Sequence, residues 1–196
     1  MNTRLAFLAA PVLVFAYGAI RILDGLDGSY GPGLAWTTGH LAFMAALVLY
    51  VPIFGELRRM AGRGAVATVS AALGVVGVAV LLVQFGIDIV VGFMSEDRAG
   101  MSTLFGQIQE VPGVSFAIYA VLPLLFYLGQ LALIVQLGVT RRIKPWIPVV
   151  FLVHMALPFV AKDLIAVSAA VLLISFVALS RQVEAPPSRT PAVAST

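Results

Sequence analysis

Long apolar stretches, separated by short clusters of charged residues and glycines, run through most of the chain. Five such stretches stand out: Leu5–Ile20, Leu34–Phe54, 64–94, Val114–Gly138 and Trp146–Ser180. A hydrocarbon core of about 30 Å is crossed by about 20 helical residues, so this pattern predicts membrane-spanning α-helices. We interpret the first stretch as a membrane helix and not as a cleaved signal peptide, because no clear A-x-A cleavage site follows it.

The last stretch is 35 residues long, with Lys162 and Asp163 near its middle. It therefore forms either one kinked helix or two helices joined by a tight turn. Six spans divide the twelve basic residues nine to three between the two sides of the membrane, whereas five spans divide them seven to five. Because basic residues gather on the cytoplasmic side, we predict an all-α polytopic bundle of six transmembrane helices with both termini cytoplasmic, and five helices are the alternative.

The composition is that of a membrane protein. Of the 196 residues, 61% are hydrophobic and 11% are charged, and the mean hydropathy is +1.04, whereas a soluble domain is about half apolar and about a quarter charged. These values exclude a water-soluble globular protein and predict one helix-bundle domain over residues 1–182, with the lipid bilayer as its partner. Residues 183–196 have no apolar periodicity and are predicted to be a disordered cytoplasmic tail. The bias towards Ala, Gly, Val and Leu favours a bacterial inner (plasma) membrane.

Several classes of chemistry are excluded by what the sequence lacks. It contains no cysteine, which excludes disulfides, iron–sulfur clusters and thiolate nucleophiles. It also contains no H-E-x-x-H, G-x-S-x-G or D-D-x-x-D motif, and we expect no metal site. The pI of about 9.6 does not indicate nucleic-acid binding, because the basic residues lie between the apolar stretches, where membrane topology places them.

Small and polar residues of the third stretch fall on one side of the predicted helix, within an arc of about 100° at 100° per residue. They are Ala67, Ser70, Gly74, Gly77, Gln84 and Asp88. The small residues predict a seam of close helix packing. Gln84 and Asp88 lie one turn apart towards the outer side, and a carboxylate at this depth normally faces the interior of a bundle.

The fourth stretch carries Ser115, Tyr119, Pro123 and Tyr127 at intervals of four residues. Pro123 predicts a local kink, because proline lacks the backbone N–H and frees a carbonyl of the preceding turn. Kinks of this kind often line cavities in membrane bundles. We therefore expect Tyr119, which lies in the outer part of the helix, to face a polar site.

The two histidines lie at matching depths in the predicted topology. His40 is roughly 9 Å inside the outer end of the second span and His154 is roughly 10 Å inside the outer end of the fifth. This convergence predicts an outward-facing polar pocket between the helices. The predicted ligand-binding residues are Asp88, Gln84, His40, His154, Tyr119 and Arg21, and the candidates for a catalytic role are Asp88, His40, His154 and Tyr119.

Each of these residues also has a purely structural interpretation. Asp88 can be a buried acid paired with Arg21 or Lys162, and each histidine can be a hydrogen-bonding residue between helices. Lys162 and Asp163 are most simply residues of a hairpin turn. The glycine-rich segment 24–33 lacks the spacing of a calcium loop and is interpreted as a turn.

Four functions are compatible with this pattern. The leading hypothesis is a carrier or binding protein for a small molecule or ion, with a titrating Asp/His site and, given its small size, a homodimeric state. The alternative is a membrane enzyme that acts on a lipid or isoprenoid by metal-independent acid/base chemistry. Two further alternatives are a single b-type haem protein with His40 and His154 as axial ligands, and a non-catalytic membrane subunit.

Overall fold

The computed structural model describes residues 3–27 and 30–183, and within these ranges it contains helices and no strand. The predicted tail therefore lies outside the described residues, apart from Val183 at the end of the last helix. Seven α-helices and one π-helical segment follow one another along the chain. They are α1 Thr3–Asp24, α2 Leu34–Met60, α3 Ala65–Met94, α4 Arg98–Glu110, the π-helical segment Ser115–Val121, α5 Leu124–Val139, α6 Trp146–Val160 and α7 Ile165–Val183.

Five helical segments are long and apolar enough to cross a membrane. They are Thr3–Asp24, Leu34–Met60, Ala65–Met94, Ser115–Val139 and Lys162–Gln182. The sixth apolar helix, α6, has 15 residues and is about 22 Å long at a rise of 1.5 Å per residue, which is less than a 30 Å core. The fold is thus an all-α bundle compatible with a membrane, and it contains five helices of full spanning length among the described residues.

The last apolar stretch is divided into two helices. Helix α6 ends at Val160, the next residue, Ala161, has an extended backbone, and one 3₁₀ turn over Lys162–Leu164 leads into α7. Atoms of His154 in α6 contact Ser168 in α7 across this turn, so the two helices lie antiparallel. Lys162 and Asp163 occupy the turn itself, as the structural interpretation of these residues expected.

The six apolar helices form a ring in which each helix lies beside the next. Going round, α1 packs on α2, α2 on α3, α3 on α5, α5 on α6, α6 on α7, and α7 closes the ring on α1. Five buried aromatic side chains fill the centre: Phe7, Tyr50, Phe54, Phe126 and Phe176. Their rings meet edge to face, with centroids 5.1 Å apart for Phe7 and Phe176 and 4.8 Å apart for Tyr50 and Phe126. This geometry is favourable for aromatic pairs.

The predicted seam of small residues on α3 is confirmed. A Cβ added to Gly77 would lie 2.1 Å from the backbone nitrogen of Phe126, and one added to Gly129 would lie 2.5 Å from the nitrogen of Gly74. Real atoms do not approach so closely, so these glycines are required for α3 and α5 to pack together. Ala67 and Ser70 are buried on the same side of α3.

Charged residues divide the bundle into two ends. At one end, which we call the basic end, Arg142 reaches from the 140–145 loop and donates a hydrogen bond to the carbonyl of Met60 over 2.6 Å. At the opposite end, Nε of Arg21 lies 3.9 Å from a carboxylate oxygen of Asp163. The second end also carries α4, and we call it the cleft end.

Two local features were not predicted in detail. The segment after α3 forms the helix α4, and its N-terminus is capped by Asp97, which accepts a hydrogen bond of 2.8 Å from the backbone N–H of Gly100. The irregularity expected at Pro123 extends towards the N-terminus as the π-helical segment Ser115–Val121. Leu122, the residue after this segment, donates its backbone N–H to the carbonyl of Ala117. Such π-helical stretches are often found at functional sites.

Candidate functional site

His40 of α2 and Asp88 of α3 form an ion-pair contact at the cleft end of the bundle. Nε2 of His40 lies 3.6 Å from Oδ2 of Asp88, and the two side chains are 7% and 13% exposed. The other ring nitrogen of His40, Nδ1, lies 2.7 Å from the carbonyl oxygen of Trp36. The indole N–H of Trp36 donates a hydrogen bond of 2.9 Å to the backbone carbonyl of Asp88. Trp36, His40 and Asp88 therefore tie α2 to α3.

The contact with Trp36 fixes the orientation of the imidazole. A carbonyl oxygen only accepts hydrogen bonds, so Nδ1 of His40 donates to the carbonyl of Trp36. Nε2 is then directed at the carboxylate of Asp88, 3.6 Å away.

Aromatic rings surround His40 on three helices. The ring of Trp36 lies 4.1 Å from the imidazole, centroid to centroid, and the rings of Phe85 and Tyr17 lie at 5.1 Å and 5.8 Å. A Cβ added to Gly92 would lie 2.8 Å from Trp36, so this glycine gives the indole room to lie against α3. The aromatic surround keeps His40 almost free of solvent, and Asp88 is its polar contact on the side of the cleft.

Asp88 also lines an open cleft of about 410 Å³ at the end of the bundle. Small-molecule sites typically have volumes of about 300 to 1,000 Å³. The lining residues come from the ends of α1, α2 and α3, from α4 and from the π-helical segment. They are Arg21, Tyr30, Trp36, Asp88, Arg98, Met101, Ser102, Phe105, Gln109 and Tyr119. The hydroxyl of Tyr119 is buried and has no hydrogen-bond partner among the described residues.

His154 lies in a different part of the molecule. It is buried between α6 and α7, where Nδ1 lies 2.7 Å from Oγ and 3.0 Å from the carbonyl oxygen of Ser168. The hydroxyl of Ser168 also lies 3.0 Å from the carbonyl of His154. Within the described ranges His154 does not line the cleft. Its contacts are those of the structural interpretation, in which a histidine joins two helices.

The predicted site residues therefore separate into two groups. Asp88, His40, Tyr119 and Arg21 meet at the cleft end: three of them line the cleft and His40 contacts Asp88. His154 and Gln84 lie elsewhere, and Oε1 of Gln84 is buried without a hydrogen-bond partner in the described part of the chain. The structural alternative that paired Asp88 with Arg21 or Lys162 also differs from the structure, because the ion-pair partner of Asp88 is His40.

Several lining residues were not predicted. They are Trp36, Tyr30, Arg98 and Gln109, of which Tyr30 lies in the segment 24–33 that was interpreted as a turn. For α4 a signal was present, because Asp97 followed by Arg-Ala-Gly is typical of a capped helix start. For Trp36 a signal was present too, because it lies four residues before His40 and so on the same face of α2.

Comparison of the chain with protein-family models, with curated proteins and with solved structures finds no match. Within the described ranges, no three histidine, cysteine, aspartate or glutamate side chains come together as a metal site requires.

Proposed function

We propose that this protein is a membrane carrier or binding protein whose cleft accepts a small molecule or ion, and that binding is linked to the proton shared by His40 and Asp88. The observation that carries this proposal is the position of Asp88. Its carboxylate contacts an enclosed imidazole on one side and lines an open cavity of about 410 Å³ on the other. A ligand in the cleft and the proton of the pair thus act on the same side chain.

The physical link between ligand and proton is electrostatic. A ligand group that approaches Asp88 changes the balance between an imidazolium–carboxylate pair and a neutral imidazole beside a protonated acid. At the low dielectric of an almost solvent-free site, one charge at 4 Å interacts several times more strongly than in bulk water. Ionisable residues in such positions commonly couple protons to ligands in membrane proteins. Binding is therefore expected to take up or release protons.

The proposed topology has six spans with both termini in the cytoplasm of a bacterial cell. It is supported by the six apolar helices of the ring, by the basic residues at one end and by Asp88 and the cleft at the other. Because the chain has no cysteine, single cysteines can be labelled on an otherwise unreactive background. Lys144→Cys is expected to react with an impermeant maleimide from the cytoplasm and Ser102→Cys from outside. Labelling of both positions from one side contradicts this topology.

A ligand screen tests the function. Purified protein in nanodiscs is heated with a panel of small carboxylates, phosphates, amines and monovalent cations, at two pH values. We expect at least one class of compound to raise the Tm of the wild type and to leave the Tm of Asp88→Asn unchanged. Glu96→Gln, which removes an exposed carboxylate near the same end, is the matched control and should respond like the wild type. A panel without any stabilising compound, together with a lower Tm of Asp88→Asn, supports a non-catalytic subunit and contradicts the proposal.

The second candidate is an enzyme that acts on a lipid or isoprenoid by acid/base chemistry. One observation favours it: a carboxylate and an unpartnered buried hydroxyl, those of Asp88 and Tyr119, line the same cleft. Incubation of the wild type and of Asp88→Asn with a bacterial lipid extract, followed by mass spectrometry, separates the two candidates. A new product that needs Asp88 supports the enzyme, whereas binding without any product supports the carrier.

A further inference from the structure

Two arginines lie against one tyrosine ring in the wall of the cleft. The guanidinium carbon of Arg21, near the end of α1, lies 4.3 Å from the centre of the Tyr30 ring, and that of Arg98, at the start of α4, lies 5.7 Å from it. Arg21, Arg98 and Tyr30 all line the cleft. One aromatic ring thus brings two positive charges from distant parts of the chain to one wall of the cavity, which is favourable for each cation singly.

The ion pair that the structure gives these two arginines is that of Arg21 with Asp163. Nε of Arg21 is buried without a hydrogen-bond acceptor, and its ion-pair contact is Asp163 at 3.9 Å, whose side chain is 64% exposed. Arg98 has no ion pair within residues 3–27 and 30–183. The carboxylate inside the cleft, Asp88, is engaged by His40. A buried guanidinium N–H without an acceptor is unfavourable, and an anion in the cleft supplies one.

The remaining polar groups of the cleft suit an anion as well. Tyr119 offers a buried hydroxyl without a partner, and Ser102 and Gln109 of α4 offer a hydroxyl and an amide. All three can donate hydrogen bonds. Guanidinium groups bind carboxylates and phosphates through two parallel hydrogen bonds, which is why arginine is preferred at such sites.

We infer that the cleft binds an oxyanion, a carboxylate or phosphate group, between Arg21 and Arg98. This inference rests on the proposed function, because it names the class of ligand that the cleft accepts. The oxyanion belongs either to a soluble molecule or to the headgroup of an anionic lipid. Both sources present the same group to the two arginines, and the experiment distinguishes them.

Trp36 provides the measurement, because it lines the cleft and is one of two tryptophans. Trp146→Phe leaves Trp36 as the single tryptophan, whose emission can be excited selectively. This variant is titrated in neutral detergent with inorganic phosphate or with acetate, and chloride is used to hold the ionic strength constant. In a parallel arm it is placed in nanodiscs of phosphatidylcholine alone or with added phosphatidylglycerol. The wavelength and intensity of Trp36 emission are recorded.

We expect a saturable change in Trp36 emission in at least one arm. A response to phosphate or acetate identifies a soluble ligand, and a response confined to phosphatidylglycerol nanodiscs identifies a lipid headgroup. Arg98→Gln should weaken binding by about tenfold or more, because it removes a charged hydrogen-bonding group. Arg98 is exposed, so this variant keeps the fold. Arg63→Gln, which removes an exposed arginine at the basic end, is the matched control and should bind like the wild type.

Two results overturn the inference. One is the lack of a saturable change with either anion and with either bilayer. The other is a change of equal affinity in Arg98→Gln and in Arg63→Gln, because binding then does not involve the arginines of the cleft. The proposed function fails separately: oxyanion binding that needs Arg98 but is unaffected by Asp88→Asn supports this inference and contradicts proton linkage. Binding of a cation or a neutral ligand that needs Asp88 but not Arg98 supports the proposed function and contradicts this inference.

Discussion

The two histidines of the chain lie at similar predicted depths in the bundle but in opposite chemical situations. Both are buried, and each has one ring nitrogen near a backbone carbonyl. The second nitrogen of His40 faces the carboxylate of Asp88, which opens on a cleft, whereas His154 is held by the hydroxyl and carbonyl of Ser168 inside a helix seam. Equal depth therefore does not place two histidines in one site: the partner of His40 lines the cleft, and the partner of His154 does not.

The largest expected effect concerns the His154 side of this comparison. His154→Ala leaves a cavity between α6 and α7 and removes the contacts to Ser168, so we expect a loss of about 2 to 4 kcal/mol in the free energy of unfolding. Thermal unfolding in nanodiscs measures it. Ligand binding in the cleft should remain at the wild-type affinity at temperatures where the variant is folded. A loss of binding in the folded variant would show that the two histidines act in one site.

The next effect concerns the His40 side. Asp88→Asn keeps the shape of the side chain but cannot carry the exchangeable proton, so we expect ligand affinity to change by about tenfold or more while stability changes by less than about 1 kcal/mol. The affinity of the wild type should depend on pH and that of the variant should not. Equal pH dependence in both proteins contradicts the shared proton.

A smaller effect is expected from Ser168→Ala. Hydrogen bonds between helices within a membrane contribute about 0.6 kcal/mol on average and up to about 1.7 kcal/mol. We expect a loss of stability in this range, smaller than that of His154→Ala. Ligand binding should not change. Comparison of the two unfolding free energies separates the hydrogen bond from the packing of the ring. A loss as large as that of His154→Ala would mean that the hydroxyl alone holds the seam.

The smallest effect is a coupling energy. In a double-mutant cycle of stability, His40→Asn and Asp88→Asn should be coupled by about 0.5 kcal/mol or more, because the residues are in contact. His154→Asn and Asp88→Asn should be additive within about 0.3 to 0.5 kcal/mol, because separated sites act independently. Equal coupling of the two pairs would contradict the conclusion that Asp88 interacts with His40 and not with His154.

The helices were predictable because length and apolar character are properties of a continuous segment. The packing seam of Gly74 and Gly77 was predictable as well, because a repeat of three and four residues fixes one face of a helix. The two ends of the bundle also follow from the sequence, since the charged clusters between apolar stretches mark them.

The grouping of side chains across helices was predictable only in part. Depth placed Asp88, His40 and His154 at one level. The rotation of each helix about its axis decides which side chains are in contact, and this rotation is set by packing. Helix α4 was missed because its mean apolar character is low, and with it Arg98 and the wall of the cleft. The contact of Trp36 with Asp88 was not predictable, because it joins residues 52 positions apart.

Asp88 lines the cleft, whereas Ser168 is buried in the seam between α6 and α7, and this difference in access can be tested directly. Single cysteines at these two positions, Asp88→Cys and Ser168→Cys, test it in right-side-out vesicles with an impermeant maleimide. We predict that Asp88→Cys is labelled from outside and that Ser168→Cys is not labelled until the protein is unfolded. Equal labelling of both cysteines, or labelling of Asp88→Cys from the cytoplasmic side alone, would contradict the outward cleft and the function proposed for it.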